Sequence, residues 1–257
     1  MPDPSLQELL DFATEAAWHA GRITLQYFQT DVTVDRKSDN TPVTAADRGA
    51  ELKIRELIQA RYPDDAILGE EHGEESGSSG RRWIIDPIDG TKSFVQGVPL
   101  YGVMIGIEID NVPTVGVVNL PAMNEMVCAA RGLGCTWNGR AARASTVSDI
   151  SQAVLCCTSF ESLDTHGRGD AYRRMRDQVM FSRGWGDCYG HILVATGRAE
   201  IMLDPILNVW DCAALPPILE EAGGTFTDWQ GDRTIWAEEG ISTNGALFDD
   251  VMGLVEG

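Results

Sequence analysis

Basic residues are scarce in this 257-residue chain: 20 Lys and Arg stand against 39 Asp and Glu, for a formal net charge of −19. A field of that sign repels polyanions, which argues against nucleic acid or an anionic membrane surface as a partner. Long apolar runs are also missing. No stretch approaches the roughly 20 apolar residues that a membrane span requires. The opening segment, MPDPSLQELLDFATEAAWHAGRITLQYF, is acidic and polar with apolar residues at helical spacing, unlike a secretory signal. The six cysteines, Cys128, Cys135, Cys156, Cys157, Cys188 and Cys212, contain no C-x-x-C pair. That pattern suits buried, reduced thiols in a cytoplasmic chain rather than a disulfide framework. Internal repeats and low-complexity linkers are lacking too.

What is present is an ordinary globular composition, 43% hydrophobic and 23% charged, in a chain long enough for one large domain or two small ones. Leu6, Leu9, Leu10, Ala13, Ala16, Ala17 and Ala20 recur at three and four spacing and predict a long first helix. A second helix is expected from Thr44 to just before Pro63. AILGEE reads as a short strand entering a charged, Gly/Ser-rich loop, and RRWIID, YGVMIGIEID, VPTVGVVNL and EMVCAARG read as a meander. From about Ala141 strands and helices mix, with WDCAALPPILEEAGG taken as one helix stopped by glycine. The expectation is an α+β chain of two packed lobes, residues 1–140 and 141–257.

The chemistry is concentrated in acidic residues at element ends. In WIIDPIDGT a strand delivers Asp86, Pro87 turns the chain, Asp89 follows on the turn, and Gly90 and Thr91 open a helix whose free N–H groups can hold an anion. Two carboxylates on one turn need a cation or a proton between them, and a hard divalent ion with oxygen ligands fits. An Asx turn with a helix cap is the plainer alternative. A covalent aspartyl nucleophile fits less well, because such phosphatases space their carboxylates as D-x-D-x-T, whereas two residues separate Asp86 from Asp89. Glu70 also follows a short apolar strand, while Glu71, Glu74 and Glu75 read as a solvated charge run. Asp211 precedes an Ala/Leu-rich helix, where N-capping is the alternative role. Thr44 and Asp47 have capping-box spacing, and Asp47 is equally a candidate to orient a water.

Taken together, TPVTAAD, LGEE, WIIDPIDGTKSF and WDCAALPPILEEAGG, in that order, resemble the inositol monophosphatase superfamily of Mg2+-dependent, Li+-sensitive phosphatases. The resemblance implies a layered αβαβα sandwich, a homodimer, a small phosphorylated metabolite as substrate and two or three Mg2+ ions per site. It implies metal ligands at Glu70, Asp86, the Ile88 carbonyl, Asp89 and Asp211. It also implies phosphate binding at Gly90 and Thr91, and a water positioned by Asp47 and Thr91. Bound divalent ions would neutralise the phosphate and activate that water for in-line attack.

The segment expected to face the alcohol is FSRGWGDCYGHILVATG. Asp187 places a carboxylate where a neutral polyol needs only hydroxyl partners, which makes the chain similar to the histidinol-phosphate phosphatases of the superfamily. Pairing with the substrate's amine or imidazole would suit Asp187, and capping the following helix is its alternative role. Asp204 stands where relatives often bind substrate through an acidic residue, and Asp89 and Asp211 are shared with the substrate side. Arg183 is a candidate for the phosphate or the loop. Lone His191 and His72 read as a helix and a loop residue. Asn40 stands where inositol-specific members often have Asp. An inositol phosphate or broad phosphatase is the alternative within the class, and a silent metal- or phosphate-binding regulator is the alternative outside it.

Overall fold

The computed structural model describes residues 3–31, 33–36 and 42–257. Helix α1 (Leu6–Tyr27) starts at a capping box in which the Glu8 amide donates to Ser5 Oγ and the Ser5 amide to Glu8 Oε2. Short strands β1 (Val34–Arg36) and β2 (Pro42–Thr44) pair antiparallel and lead into α2 (Ala45–Arg61), capped by Thr44 and Asp47. Eight strands then build one sheet. They are β3 (Ala66–Gly69), β4 (Gly73–Glu75), β5 (Arg81–Asp89), β6 (Gly102–Ile109), β7 (Val112–Leu120), β8 (Glu125–Ala130), β9 (Gly134–Trp137) and β10 (Arg140–Ala141), with the short helix α3 (Thr91–Val95) after β5. Their order is β10-β9-β8-β7-β6-β5-β3-β4, and β3 with β5 is its parallel pairing.

The remainder alternates strand and helix: β11 (Val154–Cys157), α4 (Phe160–Thr165), α5 (Gly169–Arg176), β12 (Phe181–Arg183), α6 (Asp187–Ala195), β13 (Ile201–Asp204), α7 (Val209–Cys212), α8 (Leu215–Ala222), β14 (Thr225–Thr227), β15 (Gly240–Thr243) and α9 (Phe248–Glu256). The second sheet runs β12-β11-β13-β15-β14.

Period-two alternation explains the layering. Ile85, Ile105 and Val117 face α1 and α2, packing on Leu9, Ala13, Ile54 and Ile58. Ile84, Met104 and Val118 point the other way, onto Ile192 of α6 and Leu219 of α8, with Cys156 and Met202 of the second sheet beneath. Leu155, Leu203 and Ile241 face Tyr172, Met175 and Val251 on the far side. The result is helices, sheet, helices, sheet, helices. Each fully buried Ile or Leu contributes about 1.5–3 kcal/mol, and a sheet covered on both faces reads as continuous apolar sequence.

Three local expectations are corrected. Pro87 does not end the strand: β5 continues to Asp89 across a register shift between Asp86 and Asp89, where proline's missing N–H is tolerated. WDCAALPPILEEAGG is two helices, because Pro216 sits in the first turn of α8 and starts a new helix, which Gly223 ends in a left-handed cap. Within the charged loop, residues 73–75 form β4, paired with β3. Glycines then bring α8 onto the sheet: a Cβ at Gly116 would stand 2.0 Å from the Ala214 carbonyl oxygen. This close approach holds the preceding helix, and Asp211 on it, against the sheet.

Candidate active site

Because β3 and β5 are parallel neighbours, their C-terminal ends emerge side by side. Glu70 and Asp86 follow from that register, and the Glu70 amide donates to the Ile85 carbonyl at 3.2 Å. The bulge then presents Asp89, and α7 supplies Asp211 from the other half of the chain. Carboxylate oxygens of Asp86, Asp89 and Asp211 all lie within 4.8 Å of one another. Asp86 is held well above the usual carboxylate range by burial first, then by the charges of Glu70, Asp89 and Asp211. Asp89 is raised by burial and by Asp187 and Asp211, against the Cys188 amide that donates to its Oδ2. Such a set cannot be fully ionised while dry. All its donors are oxygens, the ligand type of a hard divalent cation.

Around the cluster the backbone is tightly held. The Ile88 amide donates to Asp86 Oδ1 at 2.9 Å, and Thr91 Oγ1 donates to the Ile88 carbonyl at 3.0 Å. Gly90, the N-cap of α3, has φ +81°, and a Cβ there would stand 2.9 Å from the Leu100 carbonyl oxygen and 3.1 Å from Asp187 Oδ2. No larger residue fits this approach. Asp47 uses Oδ2 to accept from both the amide and hydroxyl of Thr44, each at 2.7 Å, while its Oδ1 is buried without a hydrogen-bond partner. Burial raises the Asp47 carboxyl, and the Thr44 hydrogen bonds oppose that rise. A buried carboxylate oxygen without a partner is where a water would find an acceptor.

Residues 5–254 match the inositol monophosphatase family. The chain belongs to that family. A histidinol-phosphatase of Chlorobaculum parvum is 47% identical over 96% of both chains, and one of Mycobacterium tuberculosis is 39% identical, covering 86% of this chain and 87% of its own. A solved inositol monophosphatase from Anabaena superposes with a TM-score of 0.86 at 30% identity, covering 98% of this chain and 96% of its own. The chain is a phosphomonoester hydrolase with the family's α+β sandwich, and its acidic triad is able to bind a metal ion. Among the described residues no helix is long and apolar enough to cross a membrane.

Several plainer readings of these residues fail within the family fold. Asp187 does not cap α6: Gly186 holds the cap position without a side-chain bond, and Asp187 sits in the first turn with φ +53°. Its carboxyl is pushed up to about 6 by burial and by Asp211, with Lys92 pulling down. Asp211 is not itself the N-cap, which is Asn208, but it completes the capping box of α7, the Asn208 amide donating to Asp211 Oδ2 at 2.7 Å, so a capping role stands beside its place in the cluster. Glu71 is half-buried with Oε1 out of solvent, and its charge acts on Asp47, so it is not part of a solvated run. Asp204 ends β13, buried, its carboxyl held well up by burial against a hydrogen bond from Thr158. Arg183 is placed elsewhere: it is exposed, lies over the Phe181 ring and donates to the Ser182 carbonyl. Asn40 lies outside the described residues.

Sequence reasoning passed over two supports of the site. Glu51, fully buried on α2, accepts from the amides of Glu71 and His72 at 2.7 and 3.1 Å and pairs with Arg55 at 2.7 Å, holding the turn that carries Glu70. Its four-residue spacing from Arg55 was the available signal. The Cys188 amide, which ties Asp89 to α6, leaves no side-chain signature.

Proposed function

We propose that the chain is a Mg2+-dependent histidinol-phosphate phosphatase that converts L-histidinol phosphate and water to L-histidinol and phosphate in histidine biosynthesis. The observation that carries the substrate is Asp187, a carboxylate against Gly90 whose charge acts on Asp89, where a cationic alcohol gains more than a neutral polyol. The 47% identity to a relative named histidinol-phosphatase supports the same reading.

Glu70, Asp86, the Ile88 carbonyl, Asp89 and Asp211 would hold two or three Mg2+ ions, with lobes 1–140 and 141–257 meeting at the cluster. Bound there, the ions supply positive charge for the phosphate and a lowered pKa for water. Gly90 and Thr91 receive the phosphate at the start of α3. Asp47 Oδ1 and Thr91 Oγ1 hold the attacking water in line with the ester bond, and Asp47 accepts its proton. As the water oxygen bonds to phosphorus, the bond to the alcohol oxygen breaks and that oxygen takes up a proton, without a phosphoenzyme. Asp187 and Asp204 take the amine and imidazole side, and Asp89 and Asp211 face both metal and substrate. Exposed Phe160, Met180 and Trp185 near edge strand β12 suit a homodimer, and six free cysteines suit the cytoplasm.

The test is a side-by-side assay on histidinol phosphate and inositol 1-phosphate with Mg2+, using Asp89→Asn as control. The expected result is preference for histidinol phosphate and near-complete loss in a folded Asp89→Asn. A clear preference for the inositol ester sinks the substrate assignment, and near-wild-type turnover in Asp89→Asn removes Asp89 from the site.

A further inference from the structure

The two carboxylates assigned above to the alcohol come from different elements, Asp187 from the loop entering α6 and Asp204 from the end of β13. A single side chain touches both segments. Thr158 Oγ1 donates to Asp204 Oδ2 at 2.7 Å and accepts from the Asp187 amide at 2.9 Å. An amide can only donate, so the Thr158 hydroxyl accepts there, and its own hydrogen is free to go to the Asp204 carboxyl.

The fold creates this bridge by register. β11 and β13 are parallel neighbours with Cys157 opposite Leu203, so Thr158, the first residue after β11, comes out beside Asp204, the last residue of β13, which is still paired with Gly240 of β15. The incoming loop is packed against the same point: a Cβ on Gly186 would stand 2.2 Å from Thr158 Cα. Asp187 itself has φ +53°, a conformation that non-glycine residues hold only when their surroundings enforce it. Asp204 is anchored from behind. Trp229 Nε1 donates to its carbonyl at 3.1 Å. Thr158 thus joins a rigid point on the sheet to a strained point on the loop.

We propose that Thr158 is a positioning residue that sets the spacing between Asp187 and Asp204, and so the preference for a cationic over a neutral alcohol. The inference rests on the histidinol-phosphate reading. Thr158 touches neither the metal cluster nor the phosphate side, so its loss should spare the chemical step.

The experiment compares wild type, Thr158→Val and Thr158→Ser on histidinol phosphate and inositol 1-phosphate, with kcat and KM resolved and melting temperatures recorded. Thr158→Val keeps the shape and removes the hydroxyl. It is expected to lower kcat/KM for histidinol phosphate about tenfold or more, mainly through KM, with the inositol ester within about twofold. Thr158→Ser should restore the preference to within about threefold of wild type, which a purely structural role in filling space would not do. If Thr158→Val fails to fold, Thr158→Ala carries the same expectation. A wild-type preference that survives in the hydroxyl-free variant, or an equal loss on both esters, overturns the assignment of Thr158 alone. A wild type with no preference for histidinol phosphate overturns it together with the functional reading.

Discussion

Withdrawing metal from the acidic cluster should load the folded protein with protons. The oxygens of Asp86, Asp89 and Asp211 lie within 4.8 Å of one another. At an effective dielectric near 20, each pair of full charges at that separation repels by about 3.5 kcal/mol, and three pairs by about 10 kcal/mol. That is comparable to the whole stability of a typical domain, about 5–15 kcal/mol. The metal-free fold escapes by keeping carboxyls neutral, in line with the raised positions of Asp86 and Asp89. In the unfolded chain the same groups ionise near pH 4. A carboxyl whose folded pKa is raised stabilises the fold at low pH, and that stability is lost as pH climbs from the unfolded value through the folded one. Melting of EDTA-treated protein should therefore fall steadily from pH 5 to pH 8, and Mg2+ should flatten the curve. Calorimetric titration of Mg2+ at pH 7, in buffers of different ionisation enthalpy, should show release of about one to two protons per site. No proton release at pH 7, with a flat melting profile for the metal-free protein, would refute an oxygen-ligand cation site built on these residues.

Asp187→Asn keeps the shape and removes the charge. It should lower kcat/KM for histidinol phosphate about 10- to 100-fold, the worth of a charge-assisted hydrogen bond, and change the inositol ester less than about threefold. Because burial raises the Asp187 carboxyl, the wild-type preference should be full at neutral pH and fade toward acid, as a protonated Asp187 no longer attracts an amine. Equal pH profiles for the two esters would remove Asp187 from recognition. Arg55→Met should cost about 3–5 kcal/mol in urea unfolding, because it strands buried Glu51 without its cation. The same variant should weaken Mg2+ binding by freeing the Glu70 turn, and an unchanged affinity in folded protein would show that the turn holds itself.

The strands and helices that show a strong period were legible in sequence, α1 from its alanine face and β5 to β8 from their apolar runs, because burial on one or both faces writes a direct pattern. Pro87 misled because proline signals a turn, and only the pairing with β6 shows a bulge that accepts it. The helix around Asp211 read as continuous because two prolines in its first turns are compatible with either a kink or a restart. Asp86 and Asp89 stand out as a spaced pair. Their meeting with Asp211, more than a hundred residues later, depends on α7 packing against the sheet, which no local pattern records. Thr158 is the extreme case: a hydroxyl after an apolar strand is common, and its two partners exist only through strand register.

The charge scarcity of the sequence takes on a sharper meaning at this site. A chain of net charge −19 repels a phosphate ester at long range, and the cluster adds the three carboxylates of Asp86, Asp89 and Asp211. On the proposed function, cations held by Glu70, Asp86, Asp89 and Asp211 would reverse the sign locally, and Asp187, half-buried against Gly90, would remain beside them as a further carboxylate. A neutral polyol can meet that carboxylate only with hydroxyl donors, each a weaker partner than a charged amine. An ester carrying its own amine would gain a charge-assisted partner there, so the same carboxylate that adds to the long-range repulsion of the phosphate would select the alcohol at close range.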